Sequence, residues 1–127
     1  MRKKTYLFEA LYAALLLSGC GAAKSDYISA GMEQVKTLEY DSALESFAAA
    51  REAGEDERLV NRGEGLAYMG KTMYAEAAQA FESALSGSSG RVSALDYDIN
   101  YYLATAYYKQ GEKEKAIQVY DAIIGLL

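Results

Sequence analysis

The stretch GLAYMGKTMYAEAAQAFESA, Gly65 to Ala84, carries small, aromatic and apolar side chains at fixed steps. Gly65, Tyr68, Ala77, Phe81 and Ala84 are separated by three, nine, four and three residues. Steps of three and four keep side chains on one face of a helix, and the step of nine takes the chain through a turn into a second helix. The same steps recur in Ala104, Tyr107, Ala116, Tyr120 and Ile123, and again in Gly31, Gln34, Ala43, Phe47 and Ala50. Gly31 to Gly65 spans 34 residues, the period of a helix-turn-helix repeat. Gly65 to Ala104 spans 39, and the five extra residues fall in Ser86-Gly87-Ser88-Ser89-Gly90, which reads as a loop.

Around this stretch the composition is that of one compact unit. The 127 residues are 51% hydrophobic and 24% charged, a globular balance and not a disordered one. Proline is absent, while alanine, leucine and tyrosine are plentiful, which suits helices throughout. The spacing predicts helices at about 26–37, 41–53, 57–69, 73–86, 93–109 and 113–126, with Gly54 and Gly111 at helix ends. From Cys20 onward there are 10 basic against 17 acidic side chains, a net charge of −7. Such a surface repels phosphate backbones, so no nucleic-acid partner is expected.

The alternation of small residue, tyrosine, alanine, aromatic, and small or aliphatic residue resembles the tetratricopeptide repeat over about Tyr27 to Ile124. Tyr40 and Tyr74, each three residues before the alanine, extend the likeness. The resemblance implies an all-α fold of antiparallel helix pairs stacked as a short right-handed solenoid of about three repeats, 27–54, 58–87 and 94–127. Small residues on both helices of a pair allow axes about 8 to 10 Å apart, with Phe47, Phe81 and Tyr120 filling the space between neighbours. The first repeat departs from the pattern at Gln34 and lacks a glycine in the turn near Leu38, and the family's terminal proline is missing from every repeat. The last helix, Ala116 to Leu127, is strongly apolar with no polar helix after it. Either the protein continues past Leu127, the favoured reading, or that face docks on a partner or a second copy.

The N-terminus reads as an address. Arg2, Lys3 and Lys4 precede an apolar run from Tyr6 to Leu17, interrupted by Glu9, and Ser18 and Gly19 stand just before Cys20. Basic start, apolar run and small residues in that order make an export signal, and the run is shorter than the roughly 20 residues of a membrane span. Leu17-Ser18-Gly19-Cys20 resembles the lipobox of bacterial lipoproteins. That resemblance implies removal of a signal peptide, residues 1–19, and acylation of Cys20, which becomes the first residue of a tether, 20–26. The repeat domain, 27–127, would then hang from a membrane on its extracytoplasmic side, within a cell envelope of either type.

Motifs for chemistry are weak. Gly65-Leu66-Ala67-Tyr68-Met69-Gly70-Lys71-Thr72 satisfies the phosphate-loop spacing, but a helical pattern and not a strand leads into it, so no nucleotide is expected. Asp96-Tyr97-Asp98-Ile99-Asn100 begins like a calcium loop, yet Tyr101 and Tyr107 stand where glycine and a late glutamate belong. It reads as a solvated, acidic first helical turn, and Glu55-Asp56-Glu57 as a solvated link. The chain has no histidine, and its one thiol is the acylation site. No catalytic residue, metal or cofactor is expected, and the chain is read as a non-enzyme.

In the repeat family the first helices of successive repeats line a concave groove. The resemblance places Ile28, Met32, Val35 and Lys36 on that face, then Arg62, Leu66 and Met69, then Tyr101, Thr105, Tyr108 and Lys109. The candidate site is Arg62, Leu66, Met69, Tyr101, Thr105, Tyr108 and Lys109, with tyrosine and arginine as anchors for a protein or peptide. Ile28 and Met32 stand where some members carry Lys and Asn to clamp a C-terminal carboxylate, so that mode is not expected. The function expected is a lipid-anchored interaction scaffold or adaptor. The alternatives are a solute- or glycan-binding lipoprotein, or the interaction part of a longer envelope protein.

Overall fold

The computed structural model describes residues 26–89 and 91–126. Residues 1–25, including the signal segment, Cys20 and the tether up to Ser25, lie outside the described residues. Six helices follow one another: α1 (Tyr27–Lys36), α2 (Tyr40–Glu52), α3 (Glu57–Gly70), α4 (Tyr74–Ser86), α5 (Ala94–Gln110) and α6 (Lys113–Leu126). Every end lies within one residue of the range read from the sequence. Each helix packs on the next, α1 also touches α3, and α3 touches α5. The second helices α2, α4 and α6 do not touch one another. An inner layer of α1, α3 and α5 in mutual contact, backed by an outer layer spread apart, curves the stack into a short helical solenoid with α1, α3 and α5 inside.

Small side chains make this packing possible. Phe47 and Phe81 are fully buried, each worth roughly 2–3 kcal/mol of apolar burial. The Phe47 ring lies between two helices of the inner layer: a methyl group on Gly31 would stand 2.6 Å from its Cε1, and one on Gly63 would stand 2.3 Å from its Cζ. Phe81 occupies the next gap, where a methyl on Gly65 would come within 2.4 Å of Cε1. On its far side Phe81 stacks on Tyr102 of α5, with ring centroids 5.8 Å apart. Tyr120 holds the same place in the third pair, its hydroxyl 3.3 Å from the Thr105 hydroxyl.

The turn inside each pair is built alike three times. Glu39 N–H donates to the Gln34 carbonyl at 2.8 Å, Met73 N–H to Tyr68 at 2.9 Å and Glu112 N–H to Tyr107 at 2.9 Å. This closing bond requires a left-handed residue just before the donor. Only the third turn has a glycine there, Gly111 at φ 91°; Leu38 and Thr72 adopt φ of 64° and 59°. Both bear the cost of that conformation, and Thr72, being β-branched, bears more of it.

The acidic link Glu55-Asp56-Glu57 is more than the solvated run expected from its composition. Glu55 accepts from the Tyr27 and Ile28 N–H groups at 3.0 and 3.1 Å, capping α1 from 27 residues away. Asp56 accepts from Leu59 N–H at 3.1 Å to cap α3, and Glu57 accepts from Arg51 Nε at 3.0 Å. First-turn amides have no partner within their own helix, and here neighbouring carboxylates supply one.

Gly63→Ala gains helix propensity but drives its methyl into the buried Phe47 ring, so a net loss of about 1–2 kcal/mol is expected in urea unfolding. Gly125→Ala in α6, where an added methyl meets nothing within 4 Å, is the control and gains up to about 1 kcal/mol.

Candidate functional site

The inner layer carries every residue of the expected groove. Ile28, Met32 and Val35 are half-buried and pack on the core around Phe47; Leu66 and Met69 are half-buried against the core around Phe81. These side chains form a floor. Tyr101 and Tyr108 stand up from it, 55% and 56% exposed, and Lys109 beside them is also exposed. Neither phenol hydroxyl has a hydrogen-bond partner among the described residues. Seven residues of helix set the two tyrosines about 10 Å apart along α5. Thr105, between them, is half-buried, and its hydroxyl donates to the Tyr101 carbonyl at 2.9 Å.

Arg62 does not stand free in this face. Its Nε and Nη2 donate to the two carboxylate oxygens of Asp98 at 2.5 and 3.1 Å, a two-point pairing of α3 with α5. The hydrogen bond to Asp98 raises the guanidinium pKa against the opposing effect of burial. The guanidinium carbon also lies 5.9 Å from the centre of the Tyr102 ring. Tyr102 in turn meets Tyr101 edge to face, centroids 5.4 Å apart at 75°. From the core outward the order is therefore Phe81, Tyr102, Tyr101, with Arg62 over the middle ring. An exposed tyrosine braced in this way loses little freedom when a partner covers it.

A second constellation sits at the far end of the same helices. Arg58 donates from Nε to the Ala84 carbonyl at 2.8 Å and from Nη2 to Asp96 at 2.5 Å, joining α3, the end of α4 and the start of α5. Asp96 also accepts from the Ser93 amide at 2.8 Å and hydroxyl at 2.9 Å. It is 6% exposed, which corrects the expectation of a solvated first turn. The residue type and spacing give no sign of this, because the partner cation lies 38 residues away.

Beside Asp96 a cavity of about 170 Å³ opens between the α4–α5 link and α6, with Leu85, Arg91, Val92, Asn100 and Ile123 among its walls. Small-molecule sites are larger, about 300–1,000 Å³. Gly65 to Gly70 lie inside α3, and the amides of Lys71, Thr72 and Met73 donate to Ala67, Met69 and Tyr68, so the phosphate-loop lookalike has these donors already engaged. Lys71 pairs with Asp41. Among the described residues there is no group of three or more metal-ligating side chains and no helix long and apolar enough to cross a membrane.

Two overlapping segments of the chain, residues 28–92 and 62–126, match the family model described as Tetratricopeptide repeat, and their starts are offset by 34 residues, one repeat. A comparison with curated proteins finds no match.

The Ser93 amide, ahead of the Ser93 hydroxyl and Arg58, holds the Asp96 carboxyl down at about 2 although burial works the other way. A carboxyl with a folded pKa below its unfolded value stabilises the fold above about pH 5, and that contribution fades as pH falls toward 2. Asp96→Asn is expected to cost about 2–4 kcal/mol at neutral pH by stripping Arg58 of its charge partner. The urea midpoint of the variant should also fall less than the wild type's between pH 5 and 2.

Proposed function

We propose that this chain, which belongs to the tetratricopeptide repeat family, is a lipid-anchored scaffold that holds a protein or peptide partner in the groove formed by α1, α3 and α5. The observation that carries this reading is the pair Tyr101 and Tyr108, two exposed phenols with unengaged hydroxyls on an otherwise apolar inner face. Their spacing suits residues one and seven of a partner helix, or alternate turns of side chains on an extended segment. With the Arg62 charge neutralised by Asp98, recognition rests on aromatic contact, and Lys109 favours an acidic group at one end. The cavity beside Asp96 is too small for most solutes, which supports a macromolecular ligand over a solute or glycan. Binding, and not catalysis, is the role assigned.

The anchor assigned is acyl chains on Cys20, after removal of residues 1–19, at the extracytoplasmic face of a membrane in the cell envelope. Two or more chains make such an anchor stable, since each buried methylene adds about 0.8 kcal/mol. No nucleic acid, nucleotide, metal or cofactor enters this reading.

Two experiments test it. The full chain, expressed with an affinity tag and captured from detergent-solubilised envelopes, should recover a defined protein, and Tyr101→Ala/Tyr108→Ala should weaken that recovery at least about tenfold with circular dichroism unchanged. Equal recovery by both forms removes the groove from the mechanism. Separately, Cys20→Ser should move the protein from the membrane fraction to the soluble fraction or leave it as an uncleaved precursor; a mature, membrane-bound variant would remove the anchor.

A further inference from the structure

The repeat register identifies what the outermost helix face is built for. On α4 the residues Ala78, Phe81 and Leu85 face α5, where Ile99, Leu103 and Ala106 cover them. On α2 the equivalent Phe47 and Arg51 face α3, against Gly63 and Glu64. Shifting the α4 residues by 39 gives Ile117, Tyr120 and Ile124 on α6. Ile117 is 56% and Ile124 66% exposed, and Tyr120 is half-buried, touching Thr105 on its inner side. A face that joins neighbouring repeats twice is open the third time, with larger aliphatic groups than α4 carries.

The opposite end of the stack is different. The α1 residues equivalent to Gly63, Glu64 and Ala67 of α3 are Ser29, Ala30 and Glu33, all exposed. Stacking copies head to tail would press Ile117 and Ile124 against small polar residues and bury the Glu33 carboxylate. The surface that matches α6 is α6 itself, turned about a two-fold axis. An antiparallel arrangement sets Ile117 opposite Ile124 of the partner subunit. It also brings Lys113, which has no ion-pair partner among the described residues, toward the partner's helix C-terminus, where carbonyl groups carry partial negative charge.

We propose that α6 is the contact surface between two copies of this chain, packed antiparallel through Ile117, Tyr120 and Ile124. A single helix pair buries less than the roughly 800 Å² per partner of a standard interface, so a dissociation constant on the order of 10 µM is expected. This inference is independent of the groove.

The test is sedimentation equilibrium of the full chain in density-matched detergent from about 1 to 100 µM. The wild type should pass from monomer to dimer over that range. Ile117→Asp/Ile124→Asp should remain monomeric throughout with helix content unchanged. Should the aspartates impair folding, Ile117→Ala/Ile124→Ala, at two exposed positions, should raise the dissociation constant at least about tenfold. Tyr101→Ala/Tyr108→Ala should dimerise as the wild type does, so the groove and the α6 contact can fail separately. A wild type that is monomeric at the highest concentration, or folded α6 variants that associate undiminished, would overturn the proposal.

Discussion

A planar aromatic ring fits between two helices only where both present backbone instead of side chain. Phe47 meets that condition between Gly31 and Gly63, and the rest of the stack depends on it. With larger residues at either position the axes separate, the inner helices lose contact, and the curvature that makes a groove is gone. Phe81 meets the condition on one side only, against Gly65, and on the other rests flat on Tyr102. That exchange of a glycine contact for a ring links the core to the surface. Tyr102 is half-buried, and the next aromatic outward, Tyr101, is the one that solvent sees.

Electrostatics then fixes how the third repeat sits on the second. The link between them is five residues longer than the one before it, and extra chain alone would loosen the joint. Arg58 and Arg62, one turn apart on α3, reach Asp96 and Asp98 on α5 and close it at two points. In the preceding repeat Arg51 does the same for α2 and α3, bonded to Glu57, Asn61 and Glu64. Pairings that are partly buried and made with guanidinium forks are directional, so they set position as well as energy. They also leave the groove nearly without unbalanced charge, apart from Lys109 at one end.

The backbone was legible because packing leaves a periodic trace. Gly31, Gly65, Ala77, Phe81 and their counterparts recur at steps that only a pair of helices satisfies, and each helix end fell within a residue of its place. Pairings across repeats leave no such trace. Glu55 looks like a member of a charge run, and its role as a cap for α1 depends on a helix that begins 28 residues earlier in the chain. In sequence Arg62 and Asp98 stand apart, one as a cation for a ligand and the other as an acidic helix start; only their position in the fold shows that each satisfies the other. The exposure of Tyr101 and Tyr108 was readable because the helical register alone sets which way they face. The turns were half-legible, since Gly111 announces a left-handed residue whereas Leu38 and Thr72 do not.

The two ends of the stack differ, Ser29, Ala30 and Glu33 closing one while Ile117 and Ile124 leave the other open. This gives the architecture a direction in heredity as well as in space. A tandem duplication that places another helix pair behind α6 meets a surface already shaped to receive it. One inserted ahead of α1 must first replace a serine, an alanine and a glutamate. Lengthening by copying is therefore open on one side only, and variation in repeat number among descendants of such a gene should accumulate at its 3′ end.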